Sequence, residues 1–231
     1  DFTSGIGVNC LGYSDDGLVK AISEQAGKIQ HMSNLYYNPL QVEVAKKLVE
    51  LTGLSKVFFC NSGTEANEGA MKIARKYSDL KYGGDRGTIL SLNKSFHGRT
   101  MASLMATGKE AYHKYFYPLP TGYKYVEKND IEAFKEALKD ETICAFIFEA
   151  VQGEGGVYPI DKDFIEEAVK LCQEKDIIVK DYINSAFKEI IELKEKLERY
   201  EEKLLTEDYK VITKYMNMQE KAKLLMYRIE K

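Results

Sequence analysis

Apolar positions along the chain alternate between a helical and a strand rhythm. Over residues 17–29, Leu18, Ile22 and Ala26 recur about one turn apart, and over 39–52 Val42, Val44, Ala45, Leu48 and Leu51 mark a second helix. Gly53 is placed to end that helix. Short apolar runs of the strand kind occupy Val57–Cys60, Thr88–Leu92, Ile143–Phe148 and Ile177–Lys180. Further helices are predicted after Ser62, through Ile73, Ala74 and Tyr77, and over 130–140 and 161–175. Residues 1–16, with Gly5, Gly7 and Gly12, predict a short strand and loops, and Gly83-Gly84-Asp85 predicts a loop. Near-continuous apolar strands that alternate with helices imply an α/β fold, a sheet covered on both faces in three layers.

The pattern then breaks. All 17 glycines lie at or before Gly156, and all 4 prolines at or before Pro159. From Ile183 to Lys231 neither occurs and charged residues dominate. Ile190, Leu193, Leu197, Tyr200 and Leu204 form one stripe at alternating steps of three and four. Val211, Tyr215, Met218, Ala222, Leu225 and Ile229 form another, with Thr206-Glu207-Asp208 between them suited to a helix start. The expected organisation is therefore an α/β part over 1–182 and a two-helix, heptad-patterned tail over 183–231. An antiparallel hairpin is the simplest form of that tail, and one long helix pairing with another chain is the alternative.

Composition narrows the function. A hydrophobic fraction of 44% suits a globular core, while a net charge of −3 and a pI near 5.8 give no support to nucleic-acid or anionic-membrane binding. No apolar run approaches the ~20 residues that span a bilayer. No secretory leader precedes the first strand, and the expected address is the cytoplasm. Cys10, Cys60, Cys144 and Cys172 are far apart with no CxxC pair, so they are expected to be buried free thiols rather than a disulfide frame or a metal site. The chain opens at Asp1 without Met, as a piece of a longer protein would.

Chemistry concentrates in Phe58-Phe59-Cys60-Asn61-Ser62-Gly63-Thr64-Glu65, where an apolar run meets a helix start. Ser62 is a good N-cap, and Glu65 sits where a capping-box partner would. The free N–H groups and positive dipole end of such a helix suit a phosphate. Gly63 lets an anion approach the backbone, and the Thr64 hydroxyl can donate one further hydrogen bond. An ordinary capped helix explains the same residues, and no Gly-Lys-Ser/Thr loop is present. However, the segments at Ser62, Phe96, Glu154 and Asp181 all follow predicted strand ends, where open α/β sheets bind ligands.

Three stretches in register carry a resemblance: Asn61-Ser62-Gly63-Thr64-Glu65-Ala66-Asn67-Glu68, Ser95-Phe96-His97-Gly98-Arg99-Thr100, and Phe148-Glu149-Ala150-Val151-Gln152-Gly153-Glu154-Gly155-Gly156. Over residues 1–182 the chain resembles the class III pyridoxal-phosphate aminotransferases. The resemblance implies the large domain of a fold-type I transferase, here incomplete, with pyridoxal 5'-phosphate as cofactor. It implies amino-acid and 2-oxo-acid substrates and a homodimer, with no nucleic-acid or membrane partner. It assigns Ser62, Gly63 and Thr64 to the phosphate, Phe96 to the face of the ring, and Asp181 to the pyridine nitrogen. Arg99 is assigned to the substrate carboxylate and Glu154 to the substrate side. His97 is expected to pack or hydrogen-bond near the ring. Around Asp181 the sequence departs from the family, with Lys180 in place of an apolar residue and Tyr182 and Asn184 in place of Glu and Gln. After Asn184 nothing resembles the segment bearing the family's cofactor-binding lysine. Lys210 falls near the family spacing but sits inside a heptad stripe without glycines, so that role is not carried over. No catalytic residue is assigned. Two rivals stand beside an active transferase: a non-catalytic chain that associates through its helical tail, and another reaction of the class, that of an ornithine or 4-aminobutyrate aminotransferase or an aminomutase.

Overall fold

The computed structural model describes Gly5 and residues 8–179; Asp181 and the heptad stripes of 183–231 lie outside the described residues. In chain order the elements are α1 (Asp16–Ala26), α2 (Pro39–Thr52), α3 (Gly63–Tyr82), β1 (Thr88–Leu92), α4 (Met101–Ala106), α5 (Glu110–His113), β2 (Tyr123–Val126), α6 (Ile131–Ala137), β3 (Ile143–Ile147), β4 (Val151–Gln152), β5 (Tyr158–Pro159) and α7 (Lys162–Glu174). Contacts divide the chain after Val57.

Before that division, α1 and α2 form where the spacing predicts them, because their caps are written locally. The Asp15 carboxylate accepts the Leu18 N–H at 2.8 Å. The Asn38 side chain accepts the N–H groups of Leu40 and Gln41, Pro39 opens α2, and Gly53 ends it in the left-handed region at φ 69°. Leu18, Ile22, Leu48 and Leu51 are exposed on these helices. The short strand expected before residue 16 does not form among the described residues, where 8–15 run as turns and bends.

From Phe58 onward a parallel sheet is ordered β2-β1-β3. Ile178 adds a parallel bridge to Ala145 beyond β3, so the expected strand at Ile177–Lys180 is reduced to that bridge among the described residues. The strand expected at Val57–Cys60 is also corrected: these residues join no ladder, and Phe58 and Phe59 are 67% and 39% exposed. A strand needs a partner, and these residues pair with none of the described strands. Cys60 is exposed with that segment, as is Cys10, so only Cys144 and Cys172 are the buried thiols expected.

Helices cover both faces of the sheet. On one face Met71 and Ala74 of α3 and Ala106 of α4 pack with Ile89, Cys144 and Ala145. On the other the Phe134 ring of α6 meets Phe146 of β3 edge-on at 4.8 Å and Phe164 of α7 at 5.8 Å. The α/β architecture with a parallel sheet is thus as expected. Since β1 lies between β2 and β3, the loops leaving β1 and β3 emerge side by side at the carboxyl edge of the sheet.

Candidate active site

Helix α3 points its first turn at that edge. The Ser62 hydroxyl accepts the Glu65 N–H at 3.3 Å and the Ser62 carbonyl accepts the Ala66 N–H at 3.0 Å. The Glu65 carboxylate reaches the Asn61 N–H at 2.5 Å, so the box closes one residue before the cap. The N–H groups of Gly63 and Thr64 have no intrahelical acceptor, as helix geometry requires. A Cβ built on Gly63 meets nothing within 4 Å, so nothing crowds the first residue of the helix. Two N–H donors at a positive dipole end, with an uncrowded glycine there, fit a phosphate group.

The loop after β1 is sewn onto this turn. Thr64 Oγ1 accepts the Arg99 N–H at 3.2 Å and lies 2.6 Å from Ser103 Oγ. Asn67 Nδ2 donates to the His97 carbonyl at 2.7 Å. Glu68 accepts from the Thr100 hydroxyl and from the Ser103 N–H. The approach is so close that a Cβ on Gly98, at φ 134°, would lie 1.8 Å from Thr64 Oγ1. Only glycine fits there.

Phe96 is half-buried, and its N–H donates to Glu149 Oε2 at 2.8 Å. The Arg99 guanidinium lies 5.2 Å from the Phe96 ring centroid and 4.1 Å from that of Tyr112. The Tyr112 hydroxyl and the Lys109 ammonium both donate to the Glu154 carboxylate. Partial burial pushes the Glu154 carboxyl up, but those two hydrogen bonds together with the Lys109 and Arg99 charges outweigh it and hold the group below its usual range. The structure therefore brings Phe96, Arg99 and Glu154 together, joined through Tyr112 and Lys109, and ties Arg99 to Thr64 through the backbone. The sequence reading missed Tyr112 and Lys109, which lie between the recognised stretches in a segment without periodicity. The position predicted for Asp181 lies outside the described residues.

His97 turns inward. It is 4% exposed, its N–H donates to Thr107 Oγ1 at 2.9 Å, and Nε2 lies 3.2 Å from Ser91 Oγ. Burial lowers its pKa to about 4, so it is a neutral core group at pH 7. A cleft of about 550 Å³ opens at the opposite, amino edge of the sheet, lined by Tyr82, Arg86, Asp140, Thr142, Ile143 and Lys175. Arg86 is already spent there on carbonyls of the fold, and none of Ser62, Gly63, Thr64, Phe96, Arg99 and Glu154 lines that cleft. Among the described residues there is no His/Cys/Asp/Glu group able to hold a metal, and no helix long and apolar enough to cross a membrane.

A family model described as "Aminotransferase class-III" matches residues 1–186. The chain belongs to that family. Its relatives include the acetylornithine aminotransferases of Methanocaldococcus jannaschii, 52% identical over 179 residues, and of Haemophilus ducreyi, 50% identical over 179 residues. Each alignment takes in 78% of this chain but only 45% and 46% of the respective relative, so the class-III chain here spans just under half the length of those enzymes. The crystal structure of N-acetylornithine aminotransferase from Stenotrophomonas maltophilia superposes with a TM-score of 0.64 at 33% identity, covering 77% of this chain and 43% of that one.

Proposed function

We propose that this chain is the cofactor-binding part of a pyridoxal-phosphate aminotransferase of the acetylornithine type. That enzyme exchanges an amino group between N2-acetylornithine and the 2-oxoglutarate/glutamate pair, on the route to arginine. The relatives bearing that name support the choice of substrate. The partners are amino-acid and 2-oxo-acid substrates and a second copy of the chain, in the cytoplasm, by resemblance to the family.

The observation that carries the reading is a convergence at the carboxyl edge of the sheet: a helix mouth, an aromatic ring and a stacked guanidinium all within one hydrogen-bonded unit. The N–H groups of Gly63 and Thr64 would hold the phosphate, with Ser62 capping the helix behind them. Pyridoxal phosphate, when bound, supplies an electron sink that stabilises negative charge formed beside an amine nitrogen. Phe96 would lie against the ring face and limit its tilt, and by resemblance to the family Asp181 would pair with the pyridine nitrogen. Arg99, stacked on Tyr112, would take a substrate carboxylate through two parallel N–H donors. The Lys109 ammonium balances the Glu154 charge and the Tyr112 hydroxyl donates to it, which weakens its repulsion of that carboxylate. Binding and orientation are what these residues supply; the proton carrier is not among them.

Titration of the 231-residue chain with pyridoxal phosphate and with pyridoxal tests the reading. The phosphorylated form is expected to bind at least about tenfold tighter, equivalent to about 1.4 kcal/mol, and Gly63→Val to abolish the preference. Equal affinity for both forms sinks the proposal.

A further inference from the structure

The stretch from Glu149 to Glu154 carries three polar side chains, and each reaches a different segment. Gln152, fully buried, donates from Nε2 to the Asn93 carbonyl at 2.9 Å. Glu154 is taken by Lys109 and Tyr112. Glu149 is not used by the proposed function. Its Oε2 accepts the Phe96 N–H at 2.8 Å. One side chain at the exit of β3 thus holds the backbone under Phe96.

The geometry points to Glu149 as a positioning residue for the cofactor ring, pinning the loop that presents Phe96 to the exit of β3. This rests on the reading of Phe96 as the ring's partner. A carboxylate suits the task because it only accepts, and the amide oxygen of a glutamine can accept the same N–H. Burial pushes the Glu149 carboxyl up, while the backbone N–H groups around it and the nearby Lys109 charge pull it down and Glu154 opposes them. Removing the acceptor strands the Phe96 N–H in a partly desolvated place.

The test uses the full chain and pyridoxamine 5'-phosphate, which has no aldehyde to condense with surface lysines and is achiral when free. Wild type is expected to bind it and to induce circular dichroism in its absorption band. Glu149→Ala should lose more than half of that signal at saturation while affinity changes less than about threefold, because the phosphate cradle is untouched, and Glu149→Gln should keep most of it. Hydrogen exchange at the Phe96 amide should speed up at least about tenfold in Glu149→Ala, with the β1 amides unchanged. If Glu149→Ala does not fold, Glu149→Met carries both readouts. Wild-type binding with an unaltered signal in Glu149→Ala, or an unprotected Phe96 amide in wild type, overturns the inference while leaving the cofactor reading intact. Absence of wild-type binding overturns the cofactor reading, and the inference with it.

Discussion

His97 packs and hydrogen-bonds against the core. It sits between Phe96 and Gly98, yet it is buried against Ser91 and its pKa is lowered to about 4. The unfolded chain takes up this proton near pH 6.5, while the folded chain resists it down to about 4. Stability from this group is therefore complete above about pH 6.5, falls as the pH drops through that window, and levels off below it. The total is about 3 kcal/mol. Urea midpoints at pH 7 and pH 4.5 for wild type and His97→Asn should show the smaller acid loss in the variant; equal losses refute the assignment. The candidate residues Ser62, Gly63, Thr64, Phe96, Arg99 and Glu154 could be picked out because they lie in unbroken sequence motifs. Tyr112 and Lys109 could not, since only the fold lays the segment around α5 beside Glu154.

At the scale of elements, the ends of α3, β3 and α7 are joined by one arginine. Arg86 donates from Nε to the Ile143 carbonyl at 2.9 Å and from one terminal nitrogen to the carbonyls of Lys175 at 2.8 Å and Asp176 at 3.0 Å. Its guanidinium lies 4.4 Å from the Tyr82 ring centroid, and the Tyr82 hydroxyl donates to Asp176. Arg86→Met is expected to destabilise by about 2–3 kcal/mol, since half-buried carbonyls lose a charged donor. Arg86→Lys should recover little of it, because a point ammonium cannot serve carbonyls on three residues as the planar fork does. Denaturant midpoints decide, and full rescue by lysine contradicts the account. Helices α1, α2 and α7 and strand β1 could be read from the chain because periodicity and caps are local. Val57–Cys60 could not, because strand pairing is not local, and β2 was missed because Lys124 interrupts its apolar pattern.

At the scale of the whole molecule, covering the sheet on both faces still leaves apolar groups outside. From Phe58 onward, Phe58, Ile73 and Leu80 are 67%, 57% and 77% exposed. A hydrophobic dye is expected to brighten on the native chain, and replacing Ile73 and Leu80 by lysine should dim it with less than about 0.5 kcal/mol change in stability. Unchanged brightness would mean these side chains are covered in solution. The sequence by itself determined helices α1, α2, α3, α6 and α7, strands β1 and β3 and the capped start of α3, because caps, glycines and spacing act over a few neighbouring residues. Only the tertiary structure decided which segments pair into the sheet, that His97 faces the core, that Glu149 meets the Phe96 N–H, and that Lys109 and Tyr112 meet Glu154. Those outcomes depend on residues far apart in the chain meeting at the carboxyl edge of β1 and β3, and no local pattern records such a meeting.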